Sequence, residues 1–291
     1  MPRRKVIVGL AQMRMSESMD HNLEHAVSLI DGASEQGVQV VCLPELFATP
    51  YFPQREGSSP HDMKDSDLVD TIPGRATQAL STAARKNGVM VIGGSIFELA
   101  EGKLFNTSVV FDTKGKELGR YRKTHIPHDE NFFEQHYFDK GDTGFRVFDT
   151  ELGRISVLIC YDQWFPEAAR AVALEGAEIV FYPTAIGTTQ GIRQKEGSWQ
   201  QAWEGVMRGH AIANGMVVCG VNRCGREDKM SFWGGSFVCD AFGKILRRAG
   251  RKEEVLICKV DLDHGKEVRE GWRFFDNRRP ECYGSLVERK G

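Results

Sequence analysis

The strongest constraint on the fold is a recurrence of near-continuous apolar runs, rich in β-branched residues, at residues 6–11, 38–43, 89–93, 155–160, 178–182 and 216–221. A strand wetted on one face alternates polar and apolar side chains, so runs without that alternation demand cover on both faces of their sheet. The intervening stretches supply it: residues 22–36, 75–87, 166–175 and 199–214 carry apolar side chains at helical spacing. Gly37, Gly88, Gly176 and Gly215 follow them, as expected where a helix hands over to a strand. The alternation predicts an α/β chain. Residues 105–119, turning at 112–115, and residues 236–260, reversing at 240–243, read as antiparallel, so mixed sheets are expected.

A chain of 291 residues, 41% hydrophobic, can bury one large core. No internal repeat, low-complexity stretch or Pro/Gly/Ser linker divides it, so residues 1–291 read as a single domain. Its 38 basic and 40 acidic residues are interspersed along the chain. Without a basic stripe, nucleic acid and anionic membrane are poor partners. The basic N-terminus leads into a short apolar run, 6–13, broken by Gln12. That run is too short for a membrane span or a signal core, and a cytoplasmic chain is expected. The seven cysteines are scattered, mostly inside apolar runs, which suits reduced, buried thiols. Cys219 and Cys224 have no second pair to finish a zinc site, so a structural zinc is not expected.

Two segments, 47–72 and 123–145, resist regular assignment and are dense in aromatic, charged and proline residues. Loops of that length in a compact enzyme usually build a site. Cys160 closes the run 155–160 just before Pro166, which suits the opening of a helix. A thiol at such a turn faces a pocket, with backbone N–H groups near enough to hold an oxyanion. Most cysteines are simply buried, and position is what separates Cys160 from the other six. A thiol nucleophile needs a base for its proton and a positive group for the charge that develops. Glu45 follows the run 38–43 among apolar neighbours and suits the base, although a paired or solvent-facing turn glutamate has the same spacing. Lys123, after the predicted hairpin, suits the cation, although a solvated loop lysine reads the same way. A Cys–His dyad using His125, His128, His136 or His210 is the rival chemistry.

Three segments, Pro44-Glu45-Leu46-Phe47, Tyr121-Arg122-Lys123-Thr124-His125-Ile126-Pro127 and Ile159-Cys160-Tyr161-Asp162, resemble the three motifs of the nitrilase superfamily of carbon-nitrogen hydrolases, in that order. The resemblance runs from about residue 6 to about residue 280. It implies a nitrilase-like α-β-β-α sandwich, four-layered as αββααββα across a dimer, with a C-terminal extension from about residue 262. It also implies Cys160 as nucleophile, Glu45 as general base, Lys123 as oxyanion stabiliser and Glu134 as an acidic residue that positions substrate and base, in a cycle that requires neither metal nor organic cofactor. Glu130 lies four residues before Glu134 in the same loop.

Within the superfamily, residues 137–145, residues 160–170 and the tail 272–280 are similar to N-carbamoylputrescine amidases. That likeness implies hydrolysis of a small carbamoyl amine to putrescine, ammonia and carbon dioxide through a covalent intermediate, by a homodimer or larger homo-oligomer. A pocket for a cationic amine wants carboxylates and aromatic faces, which Asp129, Glu130, Phe132 and Phe133 supply. Tyr161 and Trp164 are further expected to line the pocket, and Ala185 to stand in its wall. A carbamoyl amino acid would instead need a cation such as Arg193, Lys195 or Arg208. The alternatives are an amidohydrolase acting on carbamoyl-β-amino acids or ω-amides, and a catalytically silent binding protein on the same fold. The intact set of Glu45, Lys123 and Cys160 argues against the silent protein.

Overall fold

The computed structural model describes residues 3–57, 63–64, 66–191 and 194–288. Period-two alternation splits the first three apolar runs between two cores. In the strand Lys5–Gln12, Val6, Val8 and Leu10 enter one core, whereas Ala11 enters another. Val40–Cys42 repeats this, with Val40 and Cys42 facing one way and Val41 the other, and so does Met90–Ile92 with Val91. The first core also holds Ile155, Val157, Val180 and Val218, so it lies between two sheets.

Among the described residues, one sheet has seven strands. Val40–Cys42 lies parallel between Lys5–Gln12 and Met90–Ile92, and antiparallel strands complete both edges. The other has six, centred on the parallel trio Gly153–Val157, Ile179–Thr184 and Val217–Asn222. The helices α1 (Met19–Ser34) and α2 (Arg75–Asn87) cover the first sheet; α3 (Pro166–Leu174) and α4 (Trp199–Asn214) cover the second. This is the expected α-β-β-α layering. A fifth helix, α5 (Leu262–Trp272), buries Leu262, Gly265 and Val268.

Local chemistry accounts for the boundaries. Ser18 caps α1 by accepting from the His21 N–H, Pro166 occupies the first turn of α3, and Gly88 and Gly215 end α2 and α4 at φ 62° and 57°. The predicted hairpin forms between Lys103–Phe111 and Glu117–Arg122. The segment 236–260 is antiparallel, as expected, but is shared between two sheets. Phe237–Cys239 and Ile245–Arg248 pair as a hairpin, but Glu254–Asp261 crosses to the other sheet and pairs with Lys5–Gln12 across eight register positions. Alternation shows which residues face a core and says nothing about which sheet supplies the partner. A separate three-stranded ribbon, Gly187–Thr189, Met230–Trp233 and Cys224–Glu227, stands beside the loops that build the site. No described helix is long and apolar enough to cross a membrane.

Candidate active site

The parallel strands deliver their C-terminal ends to one region, where loops rather than strands carry the polar groups. The strand before Cys160 stops at Val157, earlier than the sequence suggests, because Cys160 opens a short 3₁₀ helix, Cys160–Trp164. Cys160 itself adopts φ 42°, a left-handed conformation uncommon for a residue with a side chain. Such a conformation persists where its surroundings over-determine it. Asp162 supplies much of that restraint: one carboxylate oxygen accepts from the Ile159 N–H at 2.8 Å and the Tyr121 hydroxyl at 2.8 Å. The other accepts from the His125 N–H at 3.1 Å and lies 2.7 Å from His125 Nδ1. One buried aspartate thus ties the cysteine turn to the lysine loop.

Glu45, Lys123 and Glu134 meet with their side chains fully buried. Lys123 Nζ donates to Glu45 Oε1 at 2.7 Å and to Glu134 Oε2 at 2.6 Å. Glu45 Oε1 also accepts from Asn106 Nδ2 at 2.9 Å, while Glu45 Oε2 has no hydrogen-bond partner. Glu134 Oε1 accepts from the Tyr51 hydroxyl at 2.8 Å. Burial alone would strip the proton from Lys123, but Glu134 and then Glu45 outweigh it and hold the ammonium charged, above the ordinary lysine range. Burial pushes the Glu134 carboxyl up to about 7, against the pull of Lys123 and with the push of Glu45. The Cys160 thiol is driven well up by burial, then by Glu45, with Lys123 acting the other way. At rest the thiol therefore keeps its proton, and the Ala185 N–H donates toward its sulfur.

Cys160 and Glu134 lie at the floor of a cavity of about 590 Å³. Of the residues expected there, Tyr161, Trp164, Asp129, Glu130 and Phe132 line it, whereas Phe133 packs against His128 and His136 instead; Gln163, Glu196 and Trp199 join the lining. Ala185 is completely buried beside the sulfur, and Ile186 forms that part of the wall. Phe165 stacks on His125, with ring centroids 3.7 Å apart. Among the described residues, none of the four histidines of the rival dyad lines the cavity. His125 is held by Asp162, His128 faces His136, and His210 Nε2 lies 2.8 Å from the Gln163 carbonyl. Of the groups considered for binding a carboxylate, Lys195 does not line the cavity, Arg208 donates to the Gly243 carbonyl instead, and Arg193 lies outside the described residues.

Comparison with known sequences decides the family. The carbon-nitrogen hydrolase family profile matches residues 7–270. The chain belongs to this family, within the nitrilase superfamily. Among its relatives, the N-carbamoylputrescine amidase of Solanum lycopersicum is 39% identical, the alignment covering 99% of this chain and 97% of that protein. The citrullinase of Francisella tularensis is 34% identical over 97% of this chain and 98% of its own. A solved carbon-nitrogen hydrolase from Helicobacter pylori superimposes with a TM-score of 0.91 at 37% identity, covering 99% of this chain and all of that one. This carbon-nitrogen hydrolase therefore shares its family's fold along nearly its whole length.

Sequence reasoning missed Tyr51, Asn106, Asp162, Glu196 and Arg223 as contributors to the site. Asn106 sits inside an apolar strand and Tyr51 inside an irregular loop, where spacing carries no signal. Arg223 directly follows the strand Val217–Asn222, the same position relative to an apolar run that singled out Glu45.

Proposed function

We propose that this carbon-nitrogen hydrolase is an N-carbamoylputrescine amidohydrolase, with Cys160 as nucleophile, Glu45 as general base, Lys123 as oxyanion stabiliser and Glu134 as the acid that orients them. The observation that carries the substrate reading is the charge of the cavity. Asp129, Glu130, Glu134 and Glu196 line it beside Trp164, Trp199, Tyr161 and Phe132, and no lysine or arginine does so among the described residues. Such walls favour a ligand that carries an ammonium and a short apolar stem. The similarity to an N-carbamoylputrescine amidase over nearly the whole chain supports the same reading.

In the proposed cycle the unpartnered Oε2 of Glu45 takes the thiol proton as Cys160 Sγ attacks the carbamoyl carbon. Lys123 and the Tyr161 N–H hold the developing oxyanion. The C–N bond to the terminal nitrogen breaks, and ammonia leaves with the proton returned by Glu45. A thiocarbamate remains on Cys160. Water, activated by Glu45, adds to it and releases the thiol and a carbamic acid, which decays to putrescine and carbon dioxide. Every proton is accounted for by Glu45, the thiol and water, so the proposed cycle draws on no further group.

The citrullinase relative raises a second reading, because citrulline presents the same ureido head. It also bears a carboxylate, for which the described cavity lining supplies no cation. The deciding assay measures ammonia and putrescine release from N-carbamoylputrescine beside citrulline, carbamoyl-β-alanine and an ω-amide, with Cys160→Ala as control. Selective turnover of the first, abolished in a folded Cys160→Ala, is the expected result. Selective turnover of another substrate would overturn the substrate reading, and an active, folded Cys160→Ala would overturn the mechanism.

A further inference from the structure

Arg223 is completely buried, in the link between the strand Val217–Asn222 of the six-stranded sheet and the ribbon strand Cys224–Glu227, and outside the proposed proton-transfer path. A buried guanidinium persists only where its donors and its charge are matched. Its Nη1 lies 2.8 Å from both carboxylate oxygens of Glu227. Its Nη2 donates to the Glu45 carbonyl at 2.7 Å and the Leu46 carbonyl at 2.9 Å. The planar head lies over Phe232, 5.2 Å from the ring centroid, and over Tyr51 at 5.9 Å.

These contacts converge on two carboxylates. Leu46, the residue after Glu45, has φ 49° without being glycine, a conformation that must be imposed from outside. Both of its backbone polar groups are held by side chains: the N–H by Ser95 Oγ at 2.9 Å, the carbonyl by Arg223. On the other side, Glu227 Oε2 accepts from the Tyr51 N–H at 2.7 Å, and the Tyr51 hydroxyl donates to Glu134. A single ion pair thereby grips the backbone that aims Glu45 and the residue that holds Glu134. Both carboxylates close on Lys123, so a small displacement of either alters the attack geometry over Cys160.

We propose that Arg223, braced by Glu227, is a positioning residue that fixes the separation of Glu45 and Glu134 and so tunes the proton transfer from Cys160. The inference rests on the reading of Glu45 as the base. Arginine suits the task because one planar fork spans two successive carbonyls and a carboxylate, which a lysine point charge cannot do.

The test compares Arg223→Lys, Glu227→Gln, Ser95→Ala and Glu45→Gln in the full chain. For each, kcat and KM are measured on the substrate that the wild type turns over, together with the pH profile of kcat/KM and the unfolding midpoint. Folded Arg223→Lys is expected to lose at least tenfold in kcat with KM changed less than threefold, and to move the acid limb of the profile by at least half a pH unit. Glu227→Gln and Ser95→Ala should move the same quantities in the same direction by smaller amounts. If Arg223→Lys does not fold, Glu227→Gln carries the decision. Wild-type kcat and an unmoved profile in the folded variant that decides would overturn the clamp. A fully active Glu45→Gln would instead overturn the reading of the base, so the two failures are distinguishable.

Discussion

Replacing Glu134 with glutamine should change how the stability of the folded chain depends on pH. Burial raises the Glu134 carboxyl from an ordinary 4.5 to about 7 in spite of Lys123 at 2.6 Å. The folded chain therefore keeps a proton that the unfolded chain has already released. Where the native state binds more protons than the unfolded state, stability falls as pH rises. The Glu134 contribution is thus lost progressively from about pH 4.5 to about pH 7 and is constant above that range. With one pH unit worth about 1.4 kcal/mol, the displacement from 4.5 to about 7 makes ionisation cost the folded chain about 3 kcal/mol. Glutamine cannot ionise, so this decline is missing from Glu134→Gln. Groups remote from Glu134 titrate alike in both proteins and cancel in the comparison. Urea unfolding followed by tryptophan fluorescence, at steps between about pH 5 and 7.5, should show wild-type stability falling relative to the variant by about 2 to 3 kcal/mol. Parallel curves, agreeing within about 0.5 kcal/mol across that range, would refute the assigned proton.

Lys123→Met removes the one ammonium set between Glu45 and Glu134, and kcat/KM measured by ammonia release should fall by at least a few hundredfold, about 3 kcal/mol or more; a folded variant retaining near-wild-type turnover would contradict the oxyanion role of Lys123. Asp129→Asn and Glu130→Gln should raise KM for an ammonium-bearing substrate while leaving a neutral amide nearly unaffected, because both carboxylates line the cavity; equal losses on both substrates would remove them from amine recognition.

Much of the fold was legible because its strands are buried on both faces and its helices end in chemically marked turns. The run 38–43 and Gly88 each announced an element close to where it lies. The crossing of Glu254–Asp261 was hidden, since partner choice is settled by the packing of the whole chain. The site divides in the same way. Glu45, Lys123 and Cys160 each follow a readable strand or hairpin and lie in the segments that resemble the family's motifs, so they could be picked out as candidates before their geometry was known. Tyr51, Asn106 and Arg223 act through distances across the fold, between residues as far apart as 45 and 223, and no local pattern predicts such a meeting. Ala185 shows the limit within a single loop: its neighbourhood was identifiable, but whether its methyl or its N–H faces the thiol depends on backbone direction.

The arrangement sets a reluctant nucleophile beside a buried charge cluster. Two buried carboxylates share one ammonium, leaving one more negative group than positive, and a proton held on Glu134 reduces that excess. Burial first, and then Glu45, keeps the Cys160 thiol protonated at rest against the pull of Lys123, which guards a buried sulfur against adventitious reaction. In the proposed cycle, a substrate carbonyl arriving between Lys123 and the Tyr161 N–H supplies an electrophile whose developing oxyanion meets the ammonium directly. Only then does passing the thiol proton to the free oxygen of Glu45 become favourable. A lone cysteine with a depressed pKa would be a stronger nucleophile in isolation. In the proposed cycle proton transfer and carbon–sulfur bond formation are coupled to occupancy, and for that coupling the carboxylates must be held on both sides of one lysine.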